Sequence, residues 1–130
     1  MGTMLPGKKT NLKFQDYPDV QVCEGMKKIE IAGYSHMTNP IEYYDNLIDT
    51  IEYYYRNFQK SINLEFRLEF LNTLSVKLLF SMLSRLQSMA SGEGIIQITW
   101  YYEEDDEIIK ELGEFLRSSL QIPVLLVEIA

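Results

Sequence analysis

Across residues 62–71 the chain alternates: Ile62, Leu64, Phe66, Leu68 and Phe70 are apolar, and Asn63, Glu65, Arg67 and Glu69 between them are polar. A period of two is the mark of a β-strand with one face on a core and the other toward water. Asn72-Thr73-Leu74-Ser75 follows at once, and then Val76, Leu79, Met82, Leu83 and Leu86 recur at helical spacing. A half-buried strand that runs straight into an amphipathic helix is half of a crossover unit, so the neighbouring segments must supply further parallel strands.

They read that way. Residues 28–33 form a short strand with Ile29 and Ile31 on one face, and Gly33 opens a loop. Asn39-Pro40 signals a helix start, since Asn can cap and Pro suits the first helical position. Ile41, Tyr44, Leu47, Ile48, Ile51, Tyr54, Tyr55 and Phe58 then mark one buried stripe, which leaves Tyr43 and Tyr53 more exposed. Ser91-Gly92-Glu93-Gly94 breaks the second helix. Ile96, Ile98, Trp100 and Tyr102 alternate as the next strand. An acidic run at 103–107 leads into a third helix, with Ile108, Ile109, Leu112, Phe115, Leu116 and Leu120 on its apolar side. Pro123 ends that connection, and 124–129 is the last strand. The order β-α-β-α-β-α-β predicts an α/β domain with right-handed crossovers, a largely parallel sheet and the 62–71 strand at its centre. The polar residues of that strand predict helices mainly on one face.

At 130 residues the chain suits one domain, and with 46% hydrophobic residues it has the apolar material to fold without staples. Residues 1–10 read as a flexible tail and 11–130 as the domain. The single cysteine, Cys23, excludes an internal disulfide, a cysteine zinc cluster and a Cys-x-x-Cys pair. The single histidine, His36, excludes a histidine-rich metal site and reads as a plain loop residue. A net charge of −7, from 19 acidic and 12 basic residues, disfavours nucleic acid and anionic membranes as partners. No apolar run approaches the roughly 20 residues of a membrane span. The N-terminus lacks a signal-peptide core, and Pro6 occupies the place where a myristoylation motif has Ser or Thr. The expected location is therefore the cytoplasm.

Few residues suggest chemistry. Hydroxyls at Thr73 and Ser75 can cap the N–H groups of the following helix, and the same N–H groups and helix dipole favour a phosphate. Capping alone explains most such junctions, so the residues by themselves do not separate a cap from a switch. Glu103-Glu104-Asp105-Asp106-Glu107 offers carboxylates for a metal or an acid/base pair. Consecutive carboxylates fan around a helix, however, and acidic first turns are ordinary. The expectation is a solvated run without metal. The tyrosines of the first helix mark either a partner surface or plain amphipathic packing. Ser35 and Ser75 lack a base, and no Gly-rich phosphate loop is present, so no catalytic residue and no cofactor is expected.

The segment LEFLNTLSVKLL at 68–79 resembles the Y-F-N-T-S-S-S-K signature of the SiaC-type bacterial regulatory phosphoproteins. The segment ITWYYEEDDE at 98–107 is similar to the family's Asn-Trp-Tyr-Tyr-Glu-Glu-Asp-Asp stretch. IEIAGYS at 29–35 resembles its I-x-G-x-S motif, and Glu111, Gly113, Glu114 and Phe115 resemble an E-x-G-E-F pattern. The pieces occur in the family's order over roughly residues 12–129. The resemblance implies a STAS-like fold and a non-enzymatic regulator phosphorylated on a hydroxyl at a helix start. It also implies a cognate protein kinase, a metal-dependent phosphatase and a partner bound in the unphosphorylated state, in the family a diguanylate cyclase. Carried onto this chain, the acceptor is Thr73, with Ser75 the alternative. Asn72, Leu74, Lys77 and Ser35 shape the site or meet the partner. Leu74 replaces the signature's first Ser, and Thr38-Asn39-Pro40 replaces its Pro-Glu-Asn. The competing expectations are a constitutive scaffold of the same fold and a small enzyme using the acidic run with Tyr101 or Tyr102. An enzyme needs polar groups converging in a pocket, and the sequence assembles none.

Overall fold

A computed structural model describes residues 17–37, 39–90 and 94–130. The expected tail at 1–10, Thr38 and the break at 91–93 lie outside the described residues. Five strands, β1 (Asp19–Cys23), β2 (Lys28–Ser35), β3 (Ser61–Leu71), β4 (Ile95–Glu103) and β5 (Val124–Ile129), form one sheet in sequence order. Helices α1 (Ile41–Asn57), α2 (Thr73–Ala90) and α3 (Glu107–Ser119) connect the last four. β2 to β5 are parallel, and β3 is central. Because each crossover steps to the next strand in the same direction, right-handed connections put all three helices on one face. α1 begins at Ile41, with Pro40 in the cap position and its carbonyl accepting from the Tyr44 N–H.

The expected strands and helices are all present. The sequence reading missed β1, which pairs antiparallel with β2 after a tight 3-10 turn at Glu24–Met26. Its apolar signal is only Val20 and Val22, too short to stand out. β1 also accounts for a second difference. Tyr43, expected to be exposed, is buried because its ring stacks on Tyr17 at 5.6 Å and its hydroxyl donates to the Pro18 carbonyl at 2.8 Å. The chain entering β1 covers it.

The core lies between the sheet and the helices. Leu64, Phe66, Ile98 and Trp100 meet Leu47, Ile51, Leu83, Leu86 and Leu116, all fully buried. Each such side chain stabilises the fold by roughly 1.5–3 kcal/mol. Trp100 donates its indole N–H to the Ile109 carbonyl at 2.9 Å, so even the polar edge of the largest core ring is satisfied. Gly113 faces that ring. A Cβ there would lie 2.4 Å from Trp100 Cδ1, so α3 can seat only where it carries a glycine. This seat sets the rotation of α3. Ile109, Leu116 and Leu120 are buried and Leu112 packs on the core, as read from sequence, but Ile108 is 78% exposed and Phe115 half-exposed, contrary to that reading. A glycine adds nothing to a hydrophobic pattern, so the predicted stripe is too wide on the side of Ile108 and Phe115.

The other sheet face is polar across β2, β3 and most of β4, as β3 predicts. Lys28 pairs with Glu30 at 3.2 Å and Glu65 at 3.4 Å, Asn63 bonds Glu65 and Thr99, and the Arg67 guanidinium lies 3.7 Å over the Tyr101 ring.

Candidate functional site

The starts of α1, α2 and α3 gather at the C-terminal ends of the parallel strands, the usual place for ligands and partners in such sheets. The rim is shaped by a bulge. Gly33 pairs with Leu68, but Tyr34 pairs with Phe70, so Glu69 is an extra residue in β3. Gly33 has a φ of 118°, which a side chain would strain. The extra residue reverses the alternation. Phe70, which the alternation assigns to the core, is 46% exposed, and Leu71 turns inward to pack on the core. The bulge thereby places Tyr34, His36 and Phe70 together at the surface, with His36 about 6.1 Å from each ring in edge contacts. The Glu69 carboxylate beside Tyr34 raises the tyrosine's pKa, chiefly through its charge and then through a hydrogen bond.

α2 starts next to this cluster. Asn72 is its cap: Oδ1 accepts from the Ser75 N–H at 2.9 Å, and the Asn72 carbonyl accepts from the Val76 N–H. The remaining groups of Asn72 bind β2 and its loop, the amide N–H donating to the Ser35 carbonyl at 2.9 Å and Nδ2 donating to the Met37 carbonyl at 3.2 Å. These bonds tie Asn72 into the turn between β3 and α2.

The two candidate hydroxyls diverge. Thr73 is exposed, and so are Leu74 and Lys77. Ser75 is fully buried and accepts from the Ser35 hydroxyl at 2.8 Å; Ser35, buried too, lies 2.8 Å from the Tyr44 hydroxyl. Three buried hydroxyls from β2, α1 and α2 thus form a chain beneath Thr73. Ser35 can shape the site but is out of a partner's reach. Burial raises the Tyr44 pKa, opposed by its hydrogen bonds to Ser35 and Ser75. The ring stays a neutral donor at ordinary pH.

Between the starts of α2 and α3 lies an apolar cleft of about 210 Å³, floored by Leu71, Val76 and Leu112 and edged by Phe70 and Ile108. Glu69 and Asp106 flank it. The acidic run is divided in role. Asp106 caps α3, its Oδ1 accepting from the Ile109 N–H at 3.1 Å, while Glu103, Glu104, Asp105 and Glu107 point into solvent. Among the described residues no cluster of three His, Cys, Asp or Glu could hold a metal, and no helix is long and apolar enough to cross a membrane. Phe70 and Ile108, exposed on this rim beside Tyr34 and Leu74, read from the sequence as core positions. A residue count across a suspected bulge could have found the first; nothing in the sequence marks the second.

The profile of a family described as SiaC family regulatory phosphoproteins matches residues 10–129. An uncharacterized protein of Pseudomonas aeruginosa (strain UCBPP-PA14) is 28% identical over 109 residues, covering 84% of this chain and 86% of that protein. The fold matches apo-SiaC of Pseudomonas aeruginosa at a TM-score of 0.77, with 25% identity and 98% of both chains covered. It also matches SiaC in its crystal complex with the diguanylate cyclase SiaD, which that SiaC activates, at a TM-score of 0.77. There the identity is 24%, with 91% of this chain and 98% of that chain covered.

Proposed function

This chain belongs to the SiaC family of regulatory phosphoproteins, and from that premise we propose that it is a cytoplasmic, non-catalytic regulator whose partner binding is switched by phosphorylation of Thr73. The observation that carries the reading is the split between the two hydroxyls. Thr73 stands exposed at the first residue of α2, and Ser75 is buried two residues on. A kinase needs a hydroxyl it can reach. A phosphate on Thr73 would lie at the positive end of α2, near uncommitted N–H groups and one turn from Lys77, so the fold tolerates it.

The unphosphorylated rim suits a protein partner. Tyr34, Phe70, Leu74 and Ile108 are exposed around Thr73 and the cleft beside it. A partner that packs apolar groups there would have to desolvate a group carrying about −1.5 to −2 charges once Thr73 is phosphorylated. Release follows without unfolding. By family kinship the partner is a diguanylate cyclase, which the unphosphorylated protein promotes, and a protein kinase and a metal-dependent phosphatase set the state of Thr73. Asn72 and the buried Ser35 hold the turn, while Leu74 and Lys77 meet the partner or the phosphate.

The test is mass spectrometry of the protein purified from its native host. Phosphate on Thr73, absent after Thr73→Ala, supports the reading. Phosphate only at another residue overturns Thr73 as the acceptor, and none under conditions that toggle cyclase activity leaves a constitutive scaffold.

A further inference from the structure

β5 reads as one kind of strand and sits as another. Val124-Leu125-Leu126-Val127-Glu128-Ile129 is nearly continuous in apolar residues, the pattern of a strand buried on both faces. Yet β5 is the edge of the sheet, and its Leu125, Val127 and Ile129 share the open face that is polar across β2, β3 and most of β4. Leu125 is 52% exposed. Edge strands are ordinarily protected by lysines, prolines, bulges or short length. β5 has no lysine, no proline and no break in its register with β4. β1, the other edge, is shorter and polar at Asp19 and Gln21.

The backbone states what is left unpaired. The Pro123 carbonyl accepts from the Ile98 N–H and the Ile129 carbonyl from the Glu104 N–H, at 2.9 and 3.0 Å. Odd-numbered residues therefore bond toward β4. The groups of Val124, Leu126 and Glu128 face outward, where among the described residues no strand meets them.

We propose that this edge is a homodimer interface, in which β5 pairs antiparallel with β5 of a second copy about a two-fold axis at Leu126. The occupant follows from the register. Centring on Leu126 sets Leu126 against its mate and Val124 against Glu128. Each of these pairs has both sets of outward groups available, as a hydrogen-bonded antiparallel pair requires. The same register sets Leu125 against Val127 on the open face, at the closer non-hydrogen-bonded spacing, so the exposed strips shield each other. The two Glu128 carboxylates, the only charges on the strand, end roughly 14 Å apart along it, beyond a Debye length at physiological salt. One symmetric contact satisfies both edges and closes the assembly. A single strand pair buries little area, so the dimer is weak. Each copy carries a net charge of −7, so salt strengthens it by screening. The pairing does not involve Thr73.

The experiment is sedimentation equilibrium on the full chain across a concentration series up to millimolar, at low and high salt, with residue-resolved amide exchange. Dimer should grow with concentration and with salt. The Leu126 and Glu128 amides should slow with concentration, while those of Leu125 and Val127, already bonded to β4, should not change. Glu128→Pro removes one outward N–H and no sheet bond, and Leu125→Lys charges the exposed strip. Each should raise the dissociation constant by about tenfold or more, since tenfold is only about 1.4 kcal/mol, with an unchanged melting temperature at low concentration. If Glu128→Pro lowers melting, Leu125→Lys decides alone. A monomer at every concentration, or a dimer indifferent to Leu125→Lys, overturns the proposal.

Discussion

α2 and α3 begin side by side on one rim and meet the same need, unsatisfied N–H groups and a positive dipole end, with opposite chemistry. α3 opens on charge: Asp106 caps it, Glu107 occupies its first turn, and three further acidic residues precede them. α2 opens on neutral groups: Asn72 caps it, and its first turn holds no acid. The underside differs as well. α3 is seated by Gly113 against the rigid Trp100 ring, while α2 rests on a chain of hydroxyls from Ser75 to Ser35 to Tyr44. One helix start is already saturated with negative charge. The other is held firmly from below and left uncharged above, with Thr73 at the surface. That is the condition under which an added phosphate changes the surface most and the fold least.

The largest way to disturb this contrast is to unseat α3. Gly113→Ala should destabilise the protein by about 2–3 kcal/mol, although alanine favours helices by nearly 1 kcal/mol, because the new methyl meets the indole. Urea unfolding measures it, and a neutral or stabilising result would mean the Trp100 contact does not fix α3.

Ser75→Ala should cost about 2 kcal/mol by leaving Ser35 and Tyr44 with an unsatisfied buried hydroxyl, whereas Thr73→Ala stays within about 0.5 kcal/mol. Equal costs at the two positions would erase the division between a holding hydroxyl and a presented one.

The caps should separate by salt. Asn72→Ala and Asp106→Ala each cost about 1 kcal/mol. Only the Asp106 effect should shrink between about 0.05 and 1 M salt, across which the Debye length falls from roughly 14 to 3 Å. Identical salt dependence would mean that charge does not distinguish the two starts.

The smallest effect is alkaline. Burial raises the Tyr44 pKa above the ordinary value near 10, and burial raises that of Tyr43 further, with Tyr44, Asp19 and Tyr17 adding to it. The folded state thus holds these protons more tightly than the unfolded chain. Their contribution is complete below pH 10 and falls as pH rises through the raised folded values. Tyr44→Phe should flatten that fall. A mutant curve parallel to wild type above pH 10 would mean Tyr44 is not buried beneath α2.

The parts of this rim differ in how far the sequence discloses them. β3, α2 and their junction are legible because a clean period of two hands over to a clean period of three to four, so Asn72 and Thr73 fall at a helix start on pattern alone. The environment of that start is not. The Glu69 bulge reverses the inside and outside of Phe70 and Leu71 without interrupting the alternation. The rotation of α3 that exposes Ile108 depends on Gly113, a residue that periodicity ignores. The burial of Tyr43 depends on β1, too short to announce itself. Local pattern sets elements, whereas bulges, close approaches and covering strands are long-range facts.

The central claim is that phosphate on Thr73 releases a partner and leaves the fold intact. The most direct measurement is calorimetric titration of the proposed diguanylate cyclase partner with the protein, unphosphorylated and enzymatically phosphorylated on Thr73, alongside the melting temperature of each form. We expect the phosphorylated form to bind at least about tenfold more weakly, a difference of about 1.4 kcal/mol, with melting nearly unchanged. Equal affinity of the two forms, or weaker binding that tracks a loss of folded structure, would contradict it.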